Sequence, residues 1–142
     1  MVTDSGTEKR LNRLRWWNVG VGIVLGIQAI IIILLANSFS LDVTSTYMTG
    51  PPGVEPELHI LFGLPLGAGV FAFLAISSAA LLIIASPPVF PWYKRNLLKD
   101  RNYARWIEYF FSSSIMIVLI AMLCGISDIA ALIAIFGVNG SM

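Results

Sequence analysis

Between Arg15 and Asp42 the chain carries no charged side chain, and the centre of that stretch, Val19 to Ala36, is almost entirely Val, Ile, Leu, Gly and Ala. At about 1.5 Å per residue, roughly 20 apolar residues cross the ~30 Å hydrocarbon core of a bilayer. In that core a helix satisfies its backbone polar groups internally. The stretch therefore predicts a first spanning helix. Its length, and the poor cleavage site at Ala36-Asn37-Ser38, argue against a secretory signal.

A second block, Leu58 to Tyr93, again lacks Asp, Glu, Lys and Arg. Pro87, Pro88 and Pro91 end its helical part, and Pro65 is expected in the first turns, where a missing N–H costs little. A third begins near Asn102, a candidate N-cap, and runs to about Cys124. After Gly125, Ser127 or Asp128 is placed to cap a fourth apolar run, Ile129 to Met142, whose 14 residues fall short of a full crossing. That short run predicts that the chain is the first part of a longer protein. Composition points the same way, with 57% of residues hydrophobic and 12% charged, against roughly 25% charged in soluble domains. An ordinary soluble enzyme is excluded. A net charge of +1 gives no reason to expect nucleic acid, and the single cysteine, Cys124, forms no intrachain disulfide.

The predicted architecture is all-α and transmembrane. A cytoplasmic N-terminus covers 1–15, spanning helices cover 16–36, 59–86 and 102–124, and an incomplete fourth helix covers 129–142. Between them lie an extracellular loop over 37–58, a cytoplasmic loop over 87–101 and an extracellular turn over 125–128. Sidedness follows from the nine basic residues: four precede the first helix and five, Lys94, Arg95, Lys99, Arg101 and Arg105, run from the loop after the second into the first turn of the third. Loops rich in Lys and Arg stay in the cytoplasm, so the N-terminus is inside. Trp16, Trp17, Trp92, Tyr93, Tyr103 and Trp106 gather at the same boundary, as an interfacial aromatic belt does. In the outer loop, Leu41 to Met48 precede the turn run Gly50-Pro51-Pro52-Gly53. A short hairpin, in which Thr44, Thr46 and Tyr47 pair across strands, and an irregular loop both fit.

Glu108 is the residue that needs an explanation, because an ionisable group inside a span is costly and marks function by default. One reading places it near the headgroups, paired with Arg105 one turn earlier. The other follows its face inward, where Ser112 at i+4 and Met116 at i+8 continue it into the membrane. A carboxylate with nearby hydroxyls suits a buried cation, and Lys9, Lys94 and Lys99 all lie outside the spans. Ser77 and Ser78, and the run Ser112-Ser113-Ser114, either bond to helix carbonyls or join helices. Gln28 is expected to face the bundle interior, and His59 is expected to be solvated or interfacial. Gly22/Gly26 and Gly63/Gly67 have the G-x-x-x-G spacing of close helix contacts. Asn139-Gly140-Ser141 matches a glycosylation sequon but lies in an apolar run, so it is discounted.

The segment Arg105-Trp106-Ile107-Glu108-Tyr109, with Ser112-Ser113-Ser114-Ile115-Met116 after it, resembles helix C of the heliorhodopsins. The similarity continues through Cys124-Gly125-Ile126, Asp128 to Leu132 and Ile135 to Asn139, and upstream through Leu35-Ala36-Asn37 and the Gly-Pro-Pro-Gly run. The resemblance implies the N-terminal part of a seven-helix microbial-rhodopsin-like bundle with a cytoplasmic N-terminus. It also implies a photoreceptor in the cell membrane that binds all-trans retinal, forms homodimers and is neither an enzyme nor an ion pump. By resemblance Glu108 is the Schiff-base counterion. Ser78, Ser112 and Met116 lie in the retinal pocket or near the Schiff base, and Gln28, Tyr93, Asn102 and Arg105 form a cytoplasmic polar region. Two departures stand out: the family's retinal lysine is on a seventh helix beyond this chain, and its two membrane histidines correspond here to Leu25 and Leu81. The competing reading is a small retinal-free membrane module that associates with another membrane protein. It predicts a chain that inserts and is stable by itself.

Overall fold

A computed structural model describes residues 5–47, 50, 51, 53 and 57–142. The expected turn run thus lies partly outside the described residues, at Pro52, as do Met48 and residues 1–4 of the expected N-terminal segment. The first helix, α1 (Ser5–Leu35), has 31 residues and reaches about 46 Å, more than the ~30 Å apolar core requires. Its first turns carry Lys9, Arg10, Arg13 and Arg15, so the segment ahead of the membrane continues the helix.

Two strands follow, β1 (Ser40–Tyr47) and β2 (Glu57–Pro65), paired antiparallel from Ser40 opposite Pro65 to Tyr47 opposite Glu57. The register shifts between Val43, opposite Phe62, and Thr44, opposite Ile60, which leaves Leu61 as the extra residue of a bulge. The second spanning helix, α2 (Leu66–Ala85), therefore starts several residues later than position 59. An unbroken apolar run reads equally as strand or buried helix, and here β1 supplies backbone partners for 57–65. Pro65, extended at ψ 120°, marks the change from strand to helix and precedes the first turn of α2.

The expected 87–101 loop contains a short helix, α3 (Phe90–Leu97), with proline in its first turn. Then come α4 (Tyr103–Leu123), whose N-cap Asn102 accepts from the Arg105 N–H, and α5 (Ile129–Gly140), capped by Asp128. Three helices, α1, α2 and α4, are long and apolar enough to cross a membrane. Their many exposed Ile, Leu and Val side chains suit contact with lipid rather than water.

The main contacts run α1 to α2, α2 to α4 and α4 to α5, so α2 and α4 form the middle of the assembly. Small residues allow the approach. A Cβ on Gly22 would lie 3.0 Å from Leu82, and one on Gly26 would lie 3.0 Å from the Ser78 hydroxyl. The Gly22/Gly26 spacing is a helix-contact motif; Gly63/Gly67 is not, because Gly63 sits in β2. At the N-terminal end Leu11, Ile84, Phe90 and Tyr93 form a buried cluster that holds α3 against α1 and α2. At the sheet end Val43 enters a second cluster with Ala121, Met122 and Leu132.

β1 is also bonded to the turn between α4 and α5. Thr44 N–H donates to the Ser127 carbonyl at 2.8 Å, the Thr44 and Ser127 hydroxyls lie 3.0 Å apart, and Thr46 Oγ1 donates to Asp128 Oδ2 at 3.2 Å. Thr44 and Thr46 thus direct their hydroxyls to that turn, whereas Tyr47 stacks on His59 at 4.7 Å. The amide of Ala131, aided by the Ala130 amide and the Thr46 hydroxyl, holds the Asp128 carboxyl below the usual aspartate range.

Two predictions follow from this packing. A Cβ at Gly67 would come within 2.5 Å of Ala36 Cβ. Gly67→Ala should therefore destabilise the protein by about 1–3 kcal/mol, whereas Gly20→Ala, with open space around it, should be neutral or stabilising. Thermal unfolding in detergent checks the pair, and equal midpoints would contradict the close contact. Because the folded-state Asp128 value is depressed, its cap is fully formed above the ordinary aspartate range and is lost as pH falls through the lowered value. The amide-proton shifts of Ala130 and Ala131 should titrate together there, and Asp128→Asn should flatten both curves.

Candidate functional site

Helix geometry brings Glu108 and Ser112 onto one face of α4, four residues apart, and both are buried. Ser112 Oγ donates to Glu108 Oε1 at 2.8 Å. From α2, Ser77 Oγ donates to the same oxygen at 2.6 Å. Among the described residues no hydrogen bond reaches the second carboxylate oxygen, and no cation lies within ion-pair distance of Glu108. Glu108, 8% exposed as a residue, is thus held through one oxygen by two hydroxyls.

Arg105 does not pair with this acid. Its Nη2 donates to the Tyr109 hydroxyl at 2.9 Å, and the guanidinium lies 4.8 Å from the centre of that ring. The i+4 aromatic, rather than the i+3 carboxylate, takes the arginine because Glu108 turns inward to α2.

Ser78 points elsewhere, donating to the Gly22 carbonyl of α1 at 2.7 Å. Consecutive helix residues lie about 100° apart, so only one of two adjacent serines can face α4. That one is Ser77. Met116, two turns beyond Glu108, is 42% exposed. Tyr93, Asn102 and Arg105 line one cavity of about 460 Å³, together with Trp17, Asn18 and Leu81. Gln28 does not join them. It is exposed on α1 in a groove with Trp17, Val24 and Leu25, because Gly22, Gly26 and Ala29 occupy the face that meets α2.

Asn139 has a structural role that its sequon reading missed. Its Nδ2 lies 2.7 Å from Ser113 Oγ and 3.1 Å from Ser114 Oγ, cross-linking α5 to α4. Ser113 Oγ donates in turn to the Tyr109 carbonyl at 2.7 Å. The three consecutive serines thus divide between two tasks: Ser112 serves Glu108, and Ser113 and Ser114 serve Asn139.

Three apolar helices with a carboxylate sequestered between two of them define a polytopic membrane protein. A heliorhodopsin family model matches residues 14–142, nearly the whole chain. The chain belongs to the heliorhodopsin family, and is therefore a rhodopsin-like membrane protein whose family binds retinal. No curated protein matches the sequence.

The Ser77–Glu108 bond joins two helices, and interhelical hydrogen bonds in membranes are worth about 0.6 kcal/mol on average and up to ~1.7. A double-mutant cycle with Ser77→Ala and Glu108→Met, which removes the donor or the acceptor, read by unfolding in mixed detergent, should give a coupling in that range. Zero coupling would contradict the contact.

Proposed function

We propose that this chain is the N-terminal part of a light-sensing retinal protein, with Glu108 as counterion of the positively charged retinal–lysine linkage. The observation that supports this most is the carboxylate itself: buried, held by Ser77 and Ser112 through one oxygen, and without a cation among the described residues. Burying such a charge is costly unless an opposite charge and hydrogen bonds compensate it. The donor set therefore fits a buried organic cation. Lys9 and Lys94 lie beyond the apolar spans and Lys99 follows α3, so the reading assigns the retinal lysine to a helix after residue 142.

Bound retinal would supply light absorption, and its protonated linkage to the lysine would carry one positive charge. The rest falls to this chain's side chains. Ser77 and Ser112 fix the direction of the carboxylate through one oxygen, so Glu108 would offer its second oxygen to the charge. The exposed side of Met116 is available to border the ligand. Tyr93, Asn102 and Arg105 form the polar cytoplasmic region, and Ser78 fastens α2 to α1 beneath it. Leu81, in the wall of that cavity, has no atom that accepts a proton. Photon energy, not catalysis, drives the response.

The proposed setting is the cell membrane with the N-terminus inside, supported by the four-zero-five-zero distribution of basic residues. The proposed homodimer is supported by the apolar surface of β2, where Leu58, Ile60 and Phe62 are more than half exposed.

The test is reconstitution with all-trans retinal of this chain extended through a lysine-bearing seventh helix. A visible band that hydroxylamine bleaches is expected. Glu108→Gln should retain less of that band at neutral pH, recovering it on acidification, since removing the negative charge disfavours the cationic form. A variant whose spectrum matches the native protein at every pH would overturn the assignment.

A further inference from the structure

The nine basic residues are not equivalent. Lys94 pairs with Glu8 of α1. Arg15 donates to the Ala85 carbonyl at 2.8 Å and lies 5.2 Å from the centre of the Phe90 ring, and Arg105 is taken by Tyr109. The remaining six, Lys9, Arg10, Arg13, Arg95, Lys99 and Arg101, are exposed and form no ion pair among the described residues. All are at the end of the molecule where α1 starts. The sheet end has Asp42, Glu57 and Asp128 and no lysine or arginine.

Fold brings together the two segments that carry these six. The Leu11, Ile84, Phe90 and Tyr93 cluster, the Glu8–Lys94 pair and the Arg15–Ala85 bond lock the extended start of α1 to α3. The cations of two sequence-distant segments are thus held side by side. Trp16, Trp17, Trp92 and Trp106, the four tryptophans of the chain, are all exposed, and each lies within five residues of one of the six in sequence. Such rings settle at the headgroup layer. Counting back along α1 from Trp16, Arg13, Arg10 and Lys9 lie about 5–10 Å further out. That is within or close to the Debye length of ~8 Å at physiological salt, so these charges feel a membrane surface.

We propose that this end is a preorganised collar for anionic phospholipid headgroups, with phosphatidylglycerol-type lipids as its partners. A patch that attracts cations or neutral surfaces would not concentrate six free positive charges beside four interfacial tryptophans. The proposal is independent of retinal binding.

The tryptophans are built-in reporters. The protein is reconstituted in phosphatidylcholine vesicles containing a minor fraction of brominated phosphatidylglycerol or, in parallel, of brominated phosphatidylcholine. Half-quenching of tryptophan fluorescence should need at least about fivefold less of the anionic lipid, the effect of a single well-placed cation. Raising sodium chloride should erase the difference. Replacing all six residues (Lys9→Gln, Arg10→Gln, Arg13→Gln, Arg95→Gln, Lys99→Gln and Arg101→Gln) should erase it too. Equal quenching by both lipids at low salt would overturn the proposal. So would a preference that survives high salt, or one that inorganic phosphate abolishes better than chloride at matched ionic strength. The salt series on the native chain decides the matter even if the six-fold variant fails to insert.

Discussion

Two adjacent serines on α2 hold its neighbours in opposite directions. Ser78 donates to a carbonyl of α1, and Ser77 donates to the carboxylate of α4. Neither bond forms unless the helices come close, and closeness depends on residues without side chains. Gly22 and Gly26 admit Leu82 and Ser78, and a Cβ on Gly69 would come within 2.6 Å of Leu119. In a bilayer, where lipid tails are as apolar as leucine, such contacts and hydrogen bonds hold helices together in place of the hydrophobic effect. The buried acid is therefore part of the architecture: without Ser77 and the close helix approach, Glu108 would keep only the hydrogen bond from Ser112 on its own helix.

The parts of this arrangement that follow from one-dimensional pattern are readable from the sequence. Charge-free blocks mark the spans, and the four-residue step from Glu108 to Ser112 predicts a shared face that the helix realises at 2.8 Å. What the pattern misses depends on partners. Residues 57–65 are apolar enough for a helix, and only pairing with β1 makes them a strand. Ser77 and Ser78 are chemically identical, so which of them meets Glu108 is set by the rotation of α2 about its axis. Gln28 is polar in an apolar helix, yet the glycines on another face take the contact with α2 and leave it exposed. The short α3 is too polar and too brief for a span, and its Phe90 and Tyr93 find their cluster only in three dimensions.

The two ends of the molecule are built differently. At one end, β1 is stitched to the α4–α5 turn by Thr44, Thr46 and Asp128, which fixes the sheet to the helix that carries Glu108. At the other, α3 is clamped between α1 and α2, and free cations and tryptophans face outward. The acid lies between these anchored ends, so a charge change at Glu108 acts on a helix restrained at both termini.

Infrared difference spectroscopy of the retinal-bound protein, light minus dark, tests the central claim most directly. The account predicts a carboxyl or carboxylate band that changes on illumination, disappears in Glu108→Gln and shifts in Ser77→Ala, because the serine bonds the responding group. A difference spectrum with no band that depends on Glu108 would contradict it.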